Sequence, residues 1–134
     1  MSIRQHYWTR TDLDNNNISV EWDSNNQPII IQDLPKTTGK WKRVRTQYTL
    51  IKEHPYGYDY SAVVVVLKMY GKVRTVSVSN IVWVFYNGSI GDYDIDHIDN
   101  DTSNNSLSNL QSISHQENLL RKSKQSNKYT DNRR

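Results

Sequence analysis

The chain has 134 residues, 35% of them hydrophobic, and a mean hydropathy of −0.83, which suits one domain with a modest core and at least one extended segment. Seventeen Lys and Arg against 14 Asp and Glu give a net charge of +3 and a pI near 9.1. Cysteine is absent, which excludes disulfides and thiolate zinc sites. The longest apolar run, Ala62 to Leu67, falls far short of the roughly 20 residues of a membrane helix. The stretch from Met1 to Arg4 has no apolar core of a secretory leader. These features point to a soluble, intracellular protein without a membrane partner.

In chain order, residues 1–35 are weakly patterned. Asn15 to Asn17 and Asp23 to Asn26 read as turns, with strands expected at Ile18–Trp22 and Pro28–Gln32. Trp41 to Lys52 reads as a further strand. Lys36, Lys40, Lys42, Arg43, Arg45 and Lys52 form a run with no acid before Glu53. Tyr60–Tyr70 and Lys72–Val78, both rich in valine, flank a hairpin turn at Gly71-Lys72. Ser79 or Asn80 is expected to cap a short helix running to Tyr86 and ending at Asn87-Gly88.

The charge is unevenly spread. Five of the eleven aspartates lie between Asp92 and Asp101, while Arg121, Lys122, Lys124, Lys128, Arg133 and Arg134 face only Asp131 beyond Leu119. Acid in one place with base on both sides suits an enzyme that uses a metal on a polyanion. Solvated surface would explain either basic run taken alone.

Residues 94–118 read DIDHIDNDTSNNSLSNLQSISHQEN. Tyr93–Ile98 is expected as a strand, Asp99 to Asn105 as a loop and Leu110–Ile113 as a second strand. Ser114-His115-Gln116-Glu117 has the S-x-x-E capping pattern, which starts a helix near His115 and sets Asn118 in its first turn. Asp96 and His97 are adjacent, so in a regular strand they face opposite sides. Periodicity alone does not bring both to one site.

This stretch resembles the HNH nuclease family, in its phage and intron-encoded homing endonuclease branch. The matching pieces are Asp96-His97-Ile98-Asp99, Asn104-Asn105-Ser106-Leu107-Ser108-Asn109-Leu110, and Glu117-Asn118, within a resemblance over residues 60–120. What it implies is a ββα-metal fold with one divalent ion, and with the strands read before it the whole chain is expected to be α+β. A mainly β N-terminal region (1–58, with a DNA-contacting strand at 36–52) would precede an HNH nuclease domain (59–122). That domain would carry a ββα-metal motif at 93–122, and a basic tail would follow at 123–134.

The resemblance also implies roles. His97 would be the general base, Asp96 and Asn118 the metal ligands, and Asn109 the brace of the loop that orients His97. Asn118 stands where many relatives have histidine, as in His-Asn-Asn variants; His115, three residues earlier, is the alternative third ligand.

The chemistry is coherent without the family. An imidazole, with an unperturbed pKa of about 6.5, can take a proton from water. A hard cation, Mg²⁺ or Mn²⁺, prefers carboxylate and amide oxygens and acts as a Lewis acid on a phosphodiester. Lys40, Lys42, Arg43 and Arg45, with Arg121, Lys122 and Lys124, are the candidates for phosphate contacts on double-stranded DNA. One such site cuts one strand, so a double-strand break requires a homodimer or two successive events.

Two rivals are weighed against this. An EF-hand starting at Asp92 matches Asp92, Asp94 and Asp96 but puts His97 where glycine is required and Ser103 where the bidentate Glu belongs. A DNA-binding protein that keeps the ββα scaffold without cutting would use the same basic stretches. The helix-turn-helix and N-terminal motif of the homing branch are not recognisable here.

Overall fold

The computed structural model describes residues 8–36, 39–41, 43–53, 59–91 and 93–121. The first element, α1 (Arg10–Asn15), was not expected from the sequence. It is opened by a reciprocal cap: the Thr9 hydroxyl accepts from Asp12 N–H, and the Asp12 carboxylate accepts from Thr9 N–H at 2.9 Å. Only Leu13 of this helix is buried, so its apolar periodicity is too short to read.

Strands β1 (Ile18–Trp22) and β2 (Pro28–Gln32) form an antiparallel hairpin with the expected bounds. Asp23 Oδ1 shapes its turn by accepting from Asn25 N–H at 2.8 Å and Gln27 N–H at 3.0 Å. A small pair, β3 (Leu34–Lys36) and β4 (Gly39–Trp41), follows.

The strand expected over Trp41–Lys52 divides. Residues 43–45 give their backbone to β2, through Gln32 N–H to Arg43 O (2.9 Å) and Arg45 N–H to Ile30 O (2.8 Å). The long strand β5 begins only at Gln47 and runs to Glu53. It pairs with β6 (Asp59–Met69), which pairs with β7 (Lys72–Ser77). The turn lies at Tyr70-Gly71, one residue earlier than expected, with φ of 51° and 81°. Two successive positive φ values define the tight turn whose twist matches that of paired strands.

Helix α2 (Val78–Asn87) starts two to three residues earlier than expected, with Ser77 as N-cap. Ser79 and Asn80 are therefore inside it. The spacing of the buried apolar residues explains this: Val78, Ile81, Val82 and Val84 all face the core, which requires helix from Val78 onward. Gly88, at φ 89°, ends the helix as expected.

One hydrophobic cluster joins Leu13, Ile18, Val20 and Ile30 to Val65, Leu67, Val76, Ile81, Val82 and Leu110. It crosses the division at 58/59 without a break. Polar ties reinforce it. Buried Gln32 donates to Lys68 O (2.7 Å) and accepts from Lys68 N–H (3.0 Å), so one side chain joins β2 to β6. Tyr70 donates to Asp12 Oδ1 at 2.6 Å and fastens the β6–β7 turn to α1.

On this base stand β8 (Tyr93–His97), a loop closing in a 3-10 turn at Leu107–Asn109, β9 (Leu110–Ser114), and a helix, α3, over residues 115–121. The β8–β9 pair is antiparallel, with His97 opposite Leu110 and Asp96 opposite Gln111. Ser114 Oγ accepts from Glu117 N–H at 3.1 Å, as the capping pattern requires. Among the described residues, no helix is long and apolar enough to cross a membrane.

The Tyr70 hydroxyl, then the Thr9 N–H, holds the Asp12 carboxyl below its ordinary value of 3.8. Its charge therefore adds stability at pH above that value, and the contribution disappears as pH falls through the lowered one. In urea unfolding from pH 7 to 2, Asp12→Asn should lower the neutral midpoint and flatten the acid decline. Midpoints that stay parallel to wild type across this range would remove the carboxylate from the account.

Candidate active site

His97 is the last residue of β8, so the alternation of a regular strand ends there. Asp96 and His97 both line one concavity of about 230 Å³, together with Ser61, Ser79, Asn118 and Arg121. The wall facing β8 comes from β6 and the first turn of α2. The difficulty of two adjacent residues reaching one site is thus resolved by the strand ending at the loop.

The 98–109 loop is held by Asn109. Its buried side-chain oxygen accepts from Asp99 N–H at 3.1 Å, and its amide nitrogen donates to Asp99 Oδ1 and Asn104 O, both at 2.9 Å. The backbone closes the same loop through Ile98 N–H to Asn109 O at 2.8 Å. Hydrogen bonds from the Asn104 amide, then from Asp101 N–H and the Asn109 amide, keep the Asp99 carboxyl below its ordinary value. Asp99 thus serves as a loop-bracing anion.

Inside this frame, His97 Nε2 lies 2.8 Å from Asn105 Oδ1. An amide oxygen can only accept, so Nε2 carries the proton, and in the neutral ring Nδ1 keeps its lone pair. Asn105 is buried although it lies in a polar loop. The sequence reading gave Asn105 no site role. Its signal was its place beside Asn104 in the motif.

Asp96 is also buried. Its Oδ2 accepts from Gln111 Nε2 at 2.8 Å, and Arg121 Nε lies 3.2 Å from the same oxygen. That nitrogen is buried without an aligned hydrogen bond, so the contact is ionic attraction alone. The Arg121 guanidinium also donates to Asn100 Oδ1 at 2.9 Å, which turns it back over the site.

Asn118, on the first turn of α3, donates through Nδ2 to Asp94 Oδ2 at 3.0 Å. Its Oδ1 is buried and, among the described residues, has no hydrogen-bond partner. An orphaned buried amide oxygen is costly unless something positive meets it. A carboxylate and an unmet amide oxygen on one cavity form a donor set that a hard divalent cation fits. Among the described residues, no three His, Asp or Glu side chains converge as a metal group, so these two oxygens are the candidate ligands.

His115 is the exposed partner of Asp94, with Nδ1 2.8 Å from Asp94 Oδ2, and it does not line the cavity. Asp94, two residues before Asp96 on the same strand face, thus receives both His115 and Asn118. This orienting role was not visible in the sequence.

Among the candidate DNA contacts, Arg43 is exposed, whereas Arg45 Nε donates to Val66 O at 2.9 Å. Lys40 lies in β4, opposite Pro35. Lys42, Lys122, Lys124 and the basic tail lie outside the described residues.

Asn109→Ala removes three hydrogen bonds from a buried position, which predicts a loss of about 1–3 kcal/mol in urea unfolding. The amides of residues 98–106 should also lose hydrogen-exchange protection ahead of those in β6. Unchanged protection in that loop would contradict its bracing by Asn109.

No curated protein matches the chain, and no solved structure does. From the end of β7 into α3, residues 76–120 match the family model described as HNH endonuclease, which contains every residue assembled here around His97 except Ser61 and Arg121.

Proposed function

We propose that the chain is a metal-dependent HNH endonuclease that hydrolyses phosphodiester bonds in double-stranded DNA, leaving 5′ phosphate and 3′ hydroxyl ends. One observation carries this reading: a tautomer-fixed histidine, a buried carboxylate and an orphaned buried amide oxygen share one cavity. The match of residues 76–120 to HNH endonucleases supports it.

In this mechanism His97 Nδ1 takes the proton of the attacking water, and Asn105 Oδ1 accepts from Nε2 before and after that transfer. Asp96 and Asn118 Oδ1 would hold Mg²⁺ or Mn²⁺, which supplies charge neutralisation at the phosphoryl and leaving oxygens when bound. Asp94 fixes the Asn118 amide so that its oxygen is the end offered. Asn109 keeps the loop, and so the imidazole, in place. The Arg121 guanidinium brings positive charge to the mouth of the site. Lys40, Lys42, Arg43, Arg45, Lys122 and Lys124 are assigned to DNA phosphates, so binding should weaken steeply with salt.

The single site nicks one strand as a monomer, and a homodimer makes a double-strand break. The Asp96-His97-Ile98-Asp99 and Asn118 pattern favours a phage enzyme of the homing type.

Nicking of supercoiled plasmid in Mg²⁺ or Mn²⁺ tests the reading. His97→Ala should reduce the rate by about 10²–10⁴-fold while DNA binding in EDTA persists. Asn118→Ala should raise the Mn²⁺ concentration needed for half-maximal rate. Wild type that binds DNA yet leaves plasmid supercoiled, with His97→Ala indistinguishable, would instead identify a non-cutting DNA-binding protein.

A further inference from the structure

The N-terminal hairpin reaches the loop that carries Asn105, and it does so through one side chain. Gln27 ends the β1–β2 turn, outside the stretch that matches the HNH endonucleases. Its Oε1 accepts from Asn105 N–H at 2.9 Å. Its Nε2 donates to Asn104 Oδ1 and to Ser106 Oγ, both at 3.0 Å. Ser106 Oγ in turn donates to Asn26 O at 2.5 Å. Three consecutive loop residues are thus bound by the turn of a hairpin 77 to 80 positions earlier in the chain.

We infer that Gln27 is a positioning residue for His97, acting through Asn105. The two ends of Asn105 are used in sequence: Gln27 fixes its backbone N–H, and its side-chain oxygen fixes His97 Nε2. Asn105 and Ser106 are buried, so water is a poor substitute for the lost partner. Asn109 holds the carbonyl end of the same Asn104–Asn105 peptide and braces Asp99, which leaves the N–H end of that peptide to Gln27. The Gln27 amide therefore sets the N–H side of the peptide that Asn109 holds at its carbonyl, and through it the tautomer and aim of the imidazole. In the nuclease reading, on which the kinetic part of this inference rests, that aim is what orients the base. The hairpin then belongs to the active site.

The test uses the full chain and Gln27→Met, which keeps length and bulk but removes every hydrogen bond. Two readouts are taken. Ring ¹⁵N shifts of His97 in metal-free, DNA-free protein report the tautomer, and steady-state nicking separates kcat from KM. The expected result is a mixed tautomer in place of a single Nε2–H form. A kcat lowered about 10-fold, with KM for DNA within about 2-fold, should accompany it. Gln27→Glu, which keeps the acceptor for Asn105 N–H, should lie between Met and wild type in both.

A His97 tautomer unchanged in Gln27→Met overturns the inference, and leaves the nuclease reading intact if wild type still nicks. A shifted tautomer supports the clamp even if wild type does not nick, and in that case only the nuclease reading falls. If Gln27→Met does not fold, Gln27→Ser, which stays polar but is too short to reach Asn105 N–H, decides: ring signals and kcat equal to wild type at full stability overturn the inference, and a shifted tautomer supports it.

Discussion

The candidate site depends on closing a twelve-residue loop so that its two ends become neighbouring strands. Ile98 N–H to Asn109 O continues the β8–β9 ladder past His97 and Leu110, and the Asn109 side chain gathers the loop above it. Backbone polar groups in so short a connection need partners when water is excluded. Asn109 meets both a donor and acceptors at once, which a carboxylate or hydroxyl cannot do with the same geometry. With that closure made, His97 sits at a strand end and not within a strand, and Asp96 can share its cavity.

The polar parts of the site are layered around this closure. Asn109 sets the loop, Asn105 sets His97, and Asp94 sets Asn118. None of these three residues needs to touch a substrate. Each uses a neutral amide or an anchored carboxylate to fix the orientation of another group, which preserves geometry without adding charge to the cavity. Arg121 supplies the compensating positive charge beside Asp96.

Much of this was legible in the residues. The β1–β2 strands, the valine-rich hairpin and the capped start of α3 follow from alternation, turn residues and the Ser114–Glu117 pattern. Adjacent Asp96 and His97 marked the candidate site, although only the folded strand end explains how both line one cavity. The strand expected at Trp41–Lys52 was cut because residues 43–45 pair with β2, a choice made by long-range pairing and invisible to local propensity. α1 carries a single buried apolar residue, so no periodic signal existed to find it. Gln27 has no motif, and its partners lie about 80 residues away. The start of α2 was misplaced because Ser79 and Asn80 are good caps in isolation, while burial of Val78 outweighs that preference.

Gln32 gives the fold an unusual joint. Its side-chain amide meets the Lys68 peptide as a strand residue would, donating and accepting in one exchange. A side chain has thereby taken the place of a peptide unit, and among the described residues the N-terminal hairpin meets the central sheet through side-chain amides, Gln32 on Lys68 and Gln47 on Pro28 O, and not along a shared strand ladder. Two sheets joined through side chains keep independent twists, since no continuous ladder forces a common one. The hairpin can then be angled by its packing against α2, which is the freedom needed for its far turn to arrive at the 98–109 loop.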